Sequence, residues 1–404
     1  MTIETLEGRR IHESSEIPGV TMKILCLTGL FPGFADYQAG GAERVLQRLV
    51  TSLHEVYPSD YQISIFVSRN RMPNTQSPVP EGIEISGSSS KIKLLGQLFN
   101  RQKNHDLLFC PEGIQIPSKK LAAIEAFWWK PIVTRIASEL NLDAYQGLSQ
   151  FEQRVLFAKI NKIIAISPKI KLGLENANID PERIAFIPNG IDTAKFRPVE
   201  IREKSELRQR LFNGEISDEK IIFIYNGRIF EKTKRIKTLL DIWKNSNLAD
   251  QGHALALIGP IIEKNSDILL TIKNYLEQGD ENIFWFGSMS PEEGIKYLQA
   301  SDFFIFPSDF EGMSNALIEA MSCGLIPIVR KGVSGNGALV QDGFTGFVFE
   351  GDEDLGSQMM SLTQNKNGFE EISGNARQLI VNDYSLSKMT QSYDHLFRSV
   401  LQRQ

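Results

Sequence analysis

The stretch that most constrains this chain reads FIFPSDFEGMSNALIEAMSCG, residues 304–324. Phe303 to Phe306 form a short strand with no polar face, and Pro307 ends it. A loop follows, then a helix from about Ser314 to Cys323 closed by Gly324. A strand that is apolar on both sides needs cover on both faces, which is the environment of a parallel sheet flanked by helices. Two carboxylates lie eight residues apart in this unit, Glu311 in the loop and Glu319 on the helix. Between them Gly312, Met313, Ser314 and Asn315 lead into the helix start, where unpaired N–H groups and the positive dipole end favour an anion. A diphosphate at the helix start, with a carboxylate for hydroxyl groups on either side, would suit this arrangement. Two solvated glutamates on an ordinary strand–loop–helix fit the same letters, so the rest of the chain has to decide.

The same unit recurs. Met22 to Thr28 is a near-continuous apolar run, followed by a loop with Gly29, Gly33, Gly40 and Gly41. The helix GAERVLQRLVTSLHEV comes next, with Val45, Leu46, Leu49, Val50 and Leu53 on one face. Glycines between strand and helix let the backbone approach a ligand closely. Further strands are expected at residues 61–68, 82–86, 105–110, 130–137 and 162–167, and again at 221–225, 254–260 and from 282 onward. This alternation predicts βαβ units and parallel sheets. A chain of 404 residues suits two such domains of about 150–200 residues. Pro188-Asn189-Gly190, within IAFIPNGIDTAKFRP, reads as a turn, and the boundary is placed near residue 200, before the charged helix IREKSELRQRL. The predicted division is a disordered lead-in at 1–21, Rossmann-like domains at 22–199 and 200–380, and an amphipathic C-terminal helix at 381–404.

In the second domain a strand ends in Asn226-Gly227-Arg228, and a helix is expected to start near Lys234. Cations at the C-terminal end of a parallel strand stand where ligands bind in open α/β sheets, and can neutralise a departing diphosphate. Lys232 is the reserve choice for the lysine. Gly287 and Ser288 follow another buried strand, before a helix capped by Ser290 and Glu293.

Composition narrows the function classes. A net charge of −5 argues against general nucleic-acid binding. Cys26, Cys110 and Cys323 are far apart in apolar contexts and read as buried free thiols of a reducing compartment. Five scattered histidines have no ligand spacing, so no metal site is expected. No apolar run reaches the roughly 20 residues of a membrane span, and residues 1–21 lack the apolar core of a secretory signal, which makes a cytoplasmic enzyme the expectation. Residues 90–104 carry Lys91, Lys93, Arg101 and Lys103, while Ile92, Leu94, Leu95, Leu98 and Phe99 can share one helical face. That is the composition of an interfacial helix drawn to anionic lipid, or of a domain helix with a solvated basic face. Trp128 and Trp129 can line a groove or pack on the sheet.

Taken in order from Lys23 to about Phe397, these strings resemble the retaining glycosyltransferases of family 4, whose two facing Rossmann-like domains form the GT-B architecture. The resemblance implies transfer of a sugar from a nucleoside diphosphate sugar, UDP ahead of GDP, to a hydroxyl of a saccharide, lipid-linked or protein acceptor in cell-surface polysaccharide or glycoconjugate assembly. It implies Arg228 and Lys234 on the diphosphate, Glu311 on the transferred sugar, Glu319 on the ribose, and backbone near Gly287 and Ser288 on the base. Gly41 would approach the donor from the first domain, and Asn189 would face the cleft at the interdomain junction. No cofactor or metal is required, and the C-terminal helix returns to the first domain. The chain departs from the family where a histidine is usual after the strand PIV: Ala137, Ser138 and Glu139 stand there, and either Ser138 or Glu139 would meet the sugar instead or the acceptor side works differently. Arg235 occupies a position where the family usually has glycine. A catalytically silent homologue serving as a partner subunit, a nucleotide-sugar epimerase and a phosphorylase are the rival readings.

Overall fold

The computed structural model describes residues 21–28, 41–67, 82–87, 91–111, 128–138, 143, 158–277, 282–333 and 335–402, apart from the side chains of 91–95. The first domain holds β1 (Met22–Thr28), β2 (Tyr61–Val67), β3 (Glu84–Gly87), β4 (Leu107–Cys110), β5 (Ile132–Ile136), β6 (Ile160–Ala165) and β7 (Ile184–Phe186). Their order is β3-β2-β1-β4-β5-β6-β7, with every pair parallel. The second domain holds β8 (Ile222–Asn226), β9 (Ala254–Ile258), β10 (Ile283–Trp285), β11 (Phe303–Phe306), β12 (Ile326–Arg330) and β13 (Phe347–Phe349). These run β10-β9-β8-β11-β12-β13, again all parallel.

In each sheet the strand order reverses beside the first strand, at β1/β4 and at β8/β11. Parallel sheets leave a crevice at such a reversal, outside the carboxyl ends of the strands. The residues after β8 and β11 therefore emerge side by side at the crevice of the second domain. Ring packing ties the two strands together from their amino ends to their carboxyl ends, where Tyr225 stacks on Phe306 at 6.5 Å. Phe223 of β8 stacks on Phe303 of β11 at 5.4 Å, and the fully buried Trp243 closes on Phe223 from the helix Ile236–Lys244.

The C-terminal helix, Leu386–Gln402, returns to the first domain, as expected. Met389, Tyr393, Leu396, Phe397 and Val400 join the same apolar cluster as Val45, Leu49 and Phe109. Tyr61 donates to Asp394 at 2.6 Å, and Thr390 donates to Ser52 at 2.8 Å. The two chain crossings between domains run together: Ile191 N–H bonds Tyr384 C=O, and Leu386 N–H bonds Ile191 C=O. Gly190 fits there because a Cβ would lie 2.7 Å from Met389 Cβ and 2.8 Å from Ser385 O.

Some local expectations change. The helix expected near Lys234 instead forms two pieces, Glu231–Lys234 and Ile236–Lys244, because Arg235 between them takes a left-handed backbone. The tryptophan pair divides: Trp128 is buried, whereas Trp129 is 58% exposed and meets Phe99 edge to face at 5.7 Å. The basic segment is helical over Lys91–Arg101, though Ser90 and the side chains of 91–95 lie outside the described residues. Among the described residues, no helix is long and apolar enough to cross a membrane.

Candidate active site

The Pro307 loop and the helix Asn315–Ser322 rise from β11. Ser314 caps that helix, its hydroxyl accepting from Leu317 N–H at 3.3 Å. The first-turn N–H groups of this helix lack partners within the helix itself, which makes its start a place for an anion. The Lys234 ammonium, carried by the turn after β8, forms an ion pair with the Glu311 carboxylate and lies 5.5 Å from the Phe306 ring. Burial first, and the Arg228 guanidinium second, pull Lys234 down to about 8; the Glu311 carboxylate acts in the opposite sense. Arg228 is exposed, and its backbone carbonyl is held by Tyr225 OH at 3.0 Å. Two cations and a carboxylate thus meet at the end of β8 and β11. Lys232 is exposed on the same short helix, and no ion pair to Glu311 is found for it among the described residues.

The strand ends beside this cluster are backbone-lined. Gly227 N–H bonds Ile258 C=O at 2.9 Å, and Gly259 N–H bonds Gly287 C=O at 2.7 Å. Gly259 has φ +132°, and a Cβ on it would lie 1.9 Å from Gly227 O. Only glycine fits that contact. Ser288 is exposed one residue further on. Gly259 was not among the expected site residues, although it follows β9 much as Gly227 follows β8.

The first domain closes on the tip of the loop that follows β11. A Cβ on Gly312 would fall 2.8 Å from Ala137 O and 3.0 Å from Ser138 Cα. Asn315 donates to Gly41 C=O at 3.0 Å and accepts from Asn189 at 2.9 Å. The buried Asn189 accepts from Arg135 at 2.5 Å, and its N–H points to Met313 Sδ at 3.3 Å. Glu319 pairs with Arg48, on the helix Gly41–Val56 of the first domain, at 2.6 Å. Arg135 and Arg48 escaped the sequence reading; one lies inside a strand and the other on a helix face, with no local signal. Glu139 lies outside the described residues, and Ser138 is half-buried beside Gly312.

Residues 208–379 match the profile of a family described as glycosyl transferases group 1. The Escherichia coli UDP-Gal:alpha-D-GlcNAc-diphosphoundecaprenol alpha-1,3-galactosyltransferase is 27% identical over 227 residues, 54% of this chain and 55% of that protein. The chain thus spans about half the length of that relative. The Staphylococcus aureus capsular polysaccharide biosynthesis glycosyltransferase CapM is 25% identical over 288 residues, 67% of this chain and 71% of that one. Among solved structures, Anabaena Alr3699/HepE in complex with UDP superposes with a TM-score of 0.72 at 18% identity, covering 94% of this chain and all of that one. WaaG, a glycosyltransferase involved in lipopolysaccharide biosynthesis, gives 0.66 at 15% identity over 92% and 99% of the two chains. At these identities the structural likeness carries the fold alone, which is GT-B.

Proposed function

Through residues 208–379 the chain belongs to the glycosyl transferases group 1 family, and from that premise we propose that it is a retaining glycosyltransferase using a nucleoside diphosphate sugar, UDP-linked ahead of GDP-linked. The observation that carries this reading is the convergence of Lys234, Arg228 and Glu311 at the β8/β11 reversal, under the helix start at Ser314. In the reaction, the bond between the anomeric carbon and the diphosphate oxygen breaks. A bond to the acceptor oxygen forms on the same face, and the acceptor proton passes to the departing diphosphate.

Arg228, Lys234 and the N–H groups of the helix start neutralise the diphosphate, so no metal or other cofactor is required. On donor arrival Lys234 exchanges Glu311 for phosphate oxygens, and Glu311 turns to the sugar hydroxyls. Glu319 takes the ribose hydroxyls, and the backbone around Gly227, Gly259, Gly287 and Ser288 takes the base. Gly41, Ser138 and Asn189 border the sugar from the first domain. The relatives' names, a galactosyltransferase acting with UDP-Gal and a capsular polysaccharide enzyme, support a saccharide or lipid-linked acceptor in cell-surface polysaccharide assembly. The exposed Trp129–Phe99 pair and the exposed Lys103 support peripheral contact of residues 90–104 with an anionic membrane face in the cytoplasm.

The purified chain, given UDP-glucose, UDP-galactose or GDP-mannose with saccharide acceptors, should release nucleoside diphosphate. UDP or GDP should also raise its melting temperature. Nucleotide binding without transfer from any donor would point to a silent partner subunit, and neither binding nor transfer would end the proposal.

A further inference from the structure

Arg235 closes the helix Glu231–Lys234 and opens the helix Ile236–Lys244, with φ +56° and ψ +36°. A residue with a Cβ is strained in that left-handed region, which glycine enters freely. The chain nevertheless keeps an arginine there, and its guanidinium approaches three carboxylates. Nη1 lies 3.5 Å from Glu231, Nε 3.6 Å from Asp309 and Nη2 2.7 Å from Asp352. Arg330, at the end of β12, meets the same two aspartates at 3.0 and 2.6 Å. Asp309 N–H also bonds Thr233 C=O at 3.0 Å. The turn carrying Lys234 and the loop carrying Glu311 are therefore tied together by Arg235, one residue after Lys234, and Asp309, two before Glu311.

We propose that Arg235 is a positioning residue for sugar transfer. It holds the Lys234 ammonium and the Glu311 carboxylate in register, at a backbone position that glycine would occupy with less strain. Strain persists at such a point only when the surrounding contacts over-determine it, and here two aspartates and a second arginine do so. The inference rests on the reading of Lys234 and Glu311 as donor-binding groups. Because glycine relieves the backbone while removing the tie, stability and turnover should move apart on substitution, which a merely structural role would not produce.

The test compares the wild type with Arg235→Gly, and with Arg235→Asn, since asparagine tolerates the left-handed region but lacks the guanidinium. Melting temperature, UDP affinity, and kcat and donor KM on UDP-glucose, UDP-galactose and GDP-mannose are measured for each. Both variants should melt at or above the wild-type temperature, with kcat about ten-fold lower and donor KM nearly unchanged. A wild-type kcat in Arg235→Gly, or a loss of kcat that tracks a lower melting temperature in both variants, overturns the inference alone. A wild type that binds no UDP and turns over no donor overturns the donor reading, and the inference with it.

Discussion

Arg48 and Glu319 face each other across the two domains at 2.6 Å, although 271 residues separate them in sequence. Both side chains are mostly buried, Arg48 stands 6.0 Å from the Phe196 ring, and its Nη1 has no hydrogen-bond partner among the described residues. The carboxylate read as the ribose ligand is thus tied to the first domain before any donor arrives. Breaking one side of a pair this enclosed strands the other charge. Arg48→Ala should lower stability by about 2 kcal/mol, with the partial exposure of the pair holding it below a fully buried one. A double-mutant cycle with Glu319→Gln in urea should give a coupling of about 1 kcal/mol or more. Strictly additive losses would show that the pair contributes nothing to domain closure.

Lys234 sets a pH dependence. Its ammonium is held down to about 8, mainly by burial and then by Arg228, against an ordinary 10.5. Between those values the unfolded chain binds a proton that the folded chain does not, so stability should rise with pH across that window. Activity should run the other way. Once the ammonium deprotonates it no longer neutralises phosphate, and kcat/KM for the donor should fall about ten-fold per pH unit above the break near 8. Lys234→Arg keeps its charge throughout and should lose the break. A flat wild-type profile from pH 7 to 9.5 would remove Lys234 from the chemistry.

How much of this was readable beforehand follows the range of the forces involved. Phe303–Phe306, the Ser314 cap and the Glu311–Glu319 spacing are local, and the sequence displays them directly. The Ser290–Glu293 capping box was legible for the same reason. Arg48 on Glu319 and Arg135 on Asn189 join distant segments, and no periodicity announces them. Arg235 misled the helix boundary because its left-handed backbone is set by Asp309 and Asp352, not by its own preference. Gly259 had a usable signal in its place directly after an apolar strand, but its need for glycine lies in Gly227, on the neighbouring strand.

The returning helix should be as necessary to the first domain as its own helices. Phe397 is 1% exposed, with its ring 5.5 Å from Phe109 and 5.7 Å from Tyr393. Phe397→Ala deletes a buried ring between two others and should destabilise the chain by about 3–5 kcal/mol in urea unfolding. A loss below about 1 kcal/mol would mean the helix is only loosely docked.

The closed arrangement of the domains depends on a glycine with nowhere to retreat. A Cβ on Gly312 would press on Ala137 O at 2.8 Å from one side. Behind the loop stands Gly335, whose own Cβ would lie 2.5 Å from Gly312 O and 2.8 Å from Met313 Cα. Both walls are backbone, so Gly312→Ala cannot be absorbed by a rotamer change, and the first domain has to move away. The groups on the second domain, Lys234, Glu311 and the Ser314 helix start, stay in place. UDP affinity should therefore change less than two-fold and stability by about 1 kcal/mol. Transfer needs both domains together, so kcat should fall at least ten-fold, and small-angle scattering should report a larger radius of gyration. An unchanged radius with full kcat would show that contact of Gly312 with Ala137 is incidental to transfer.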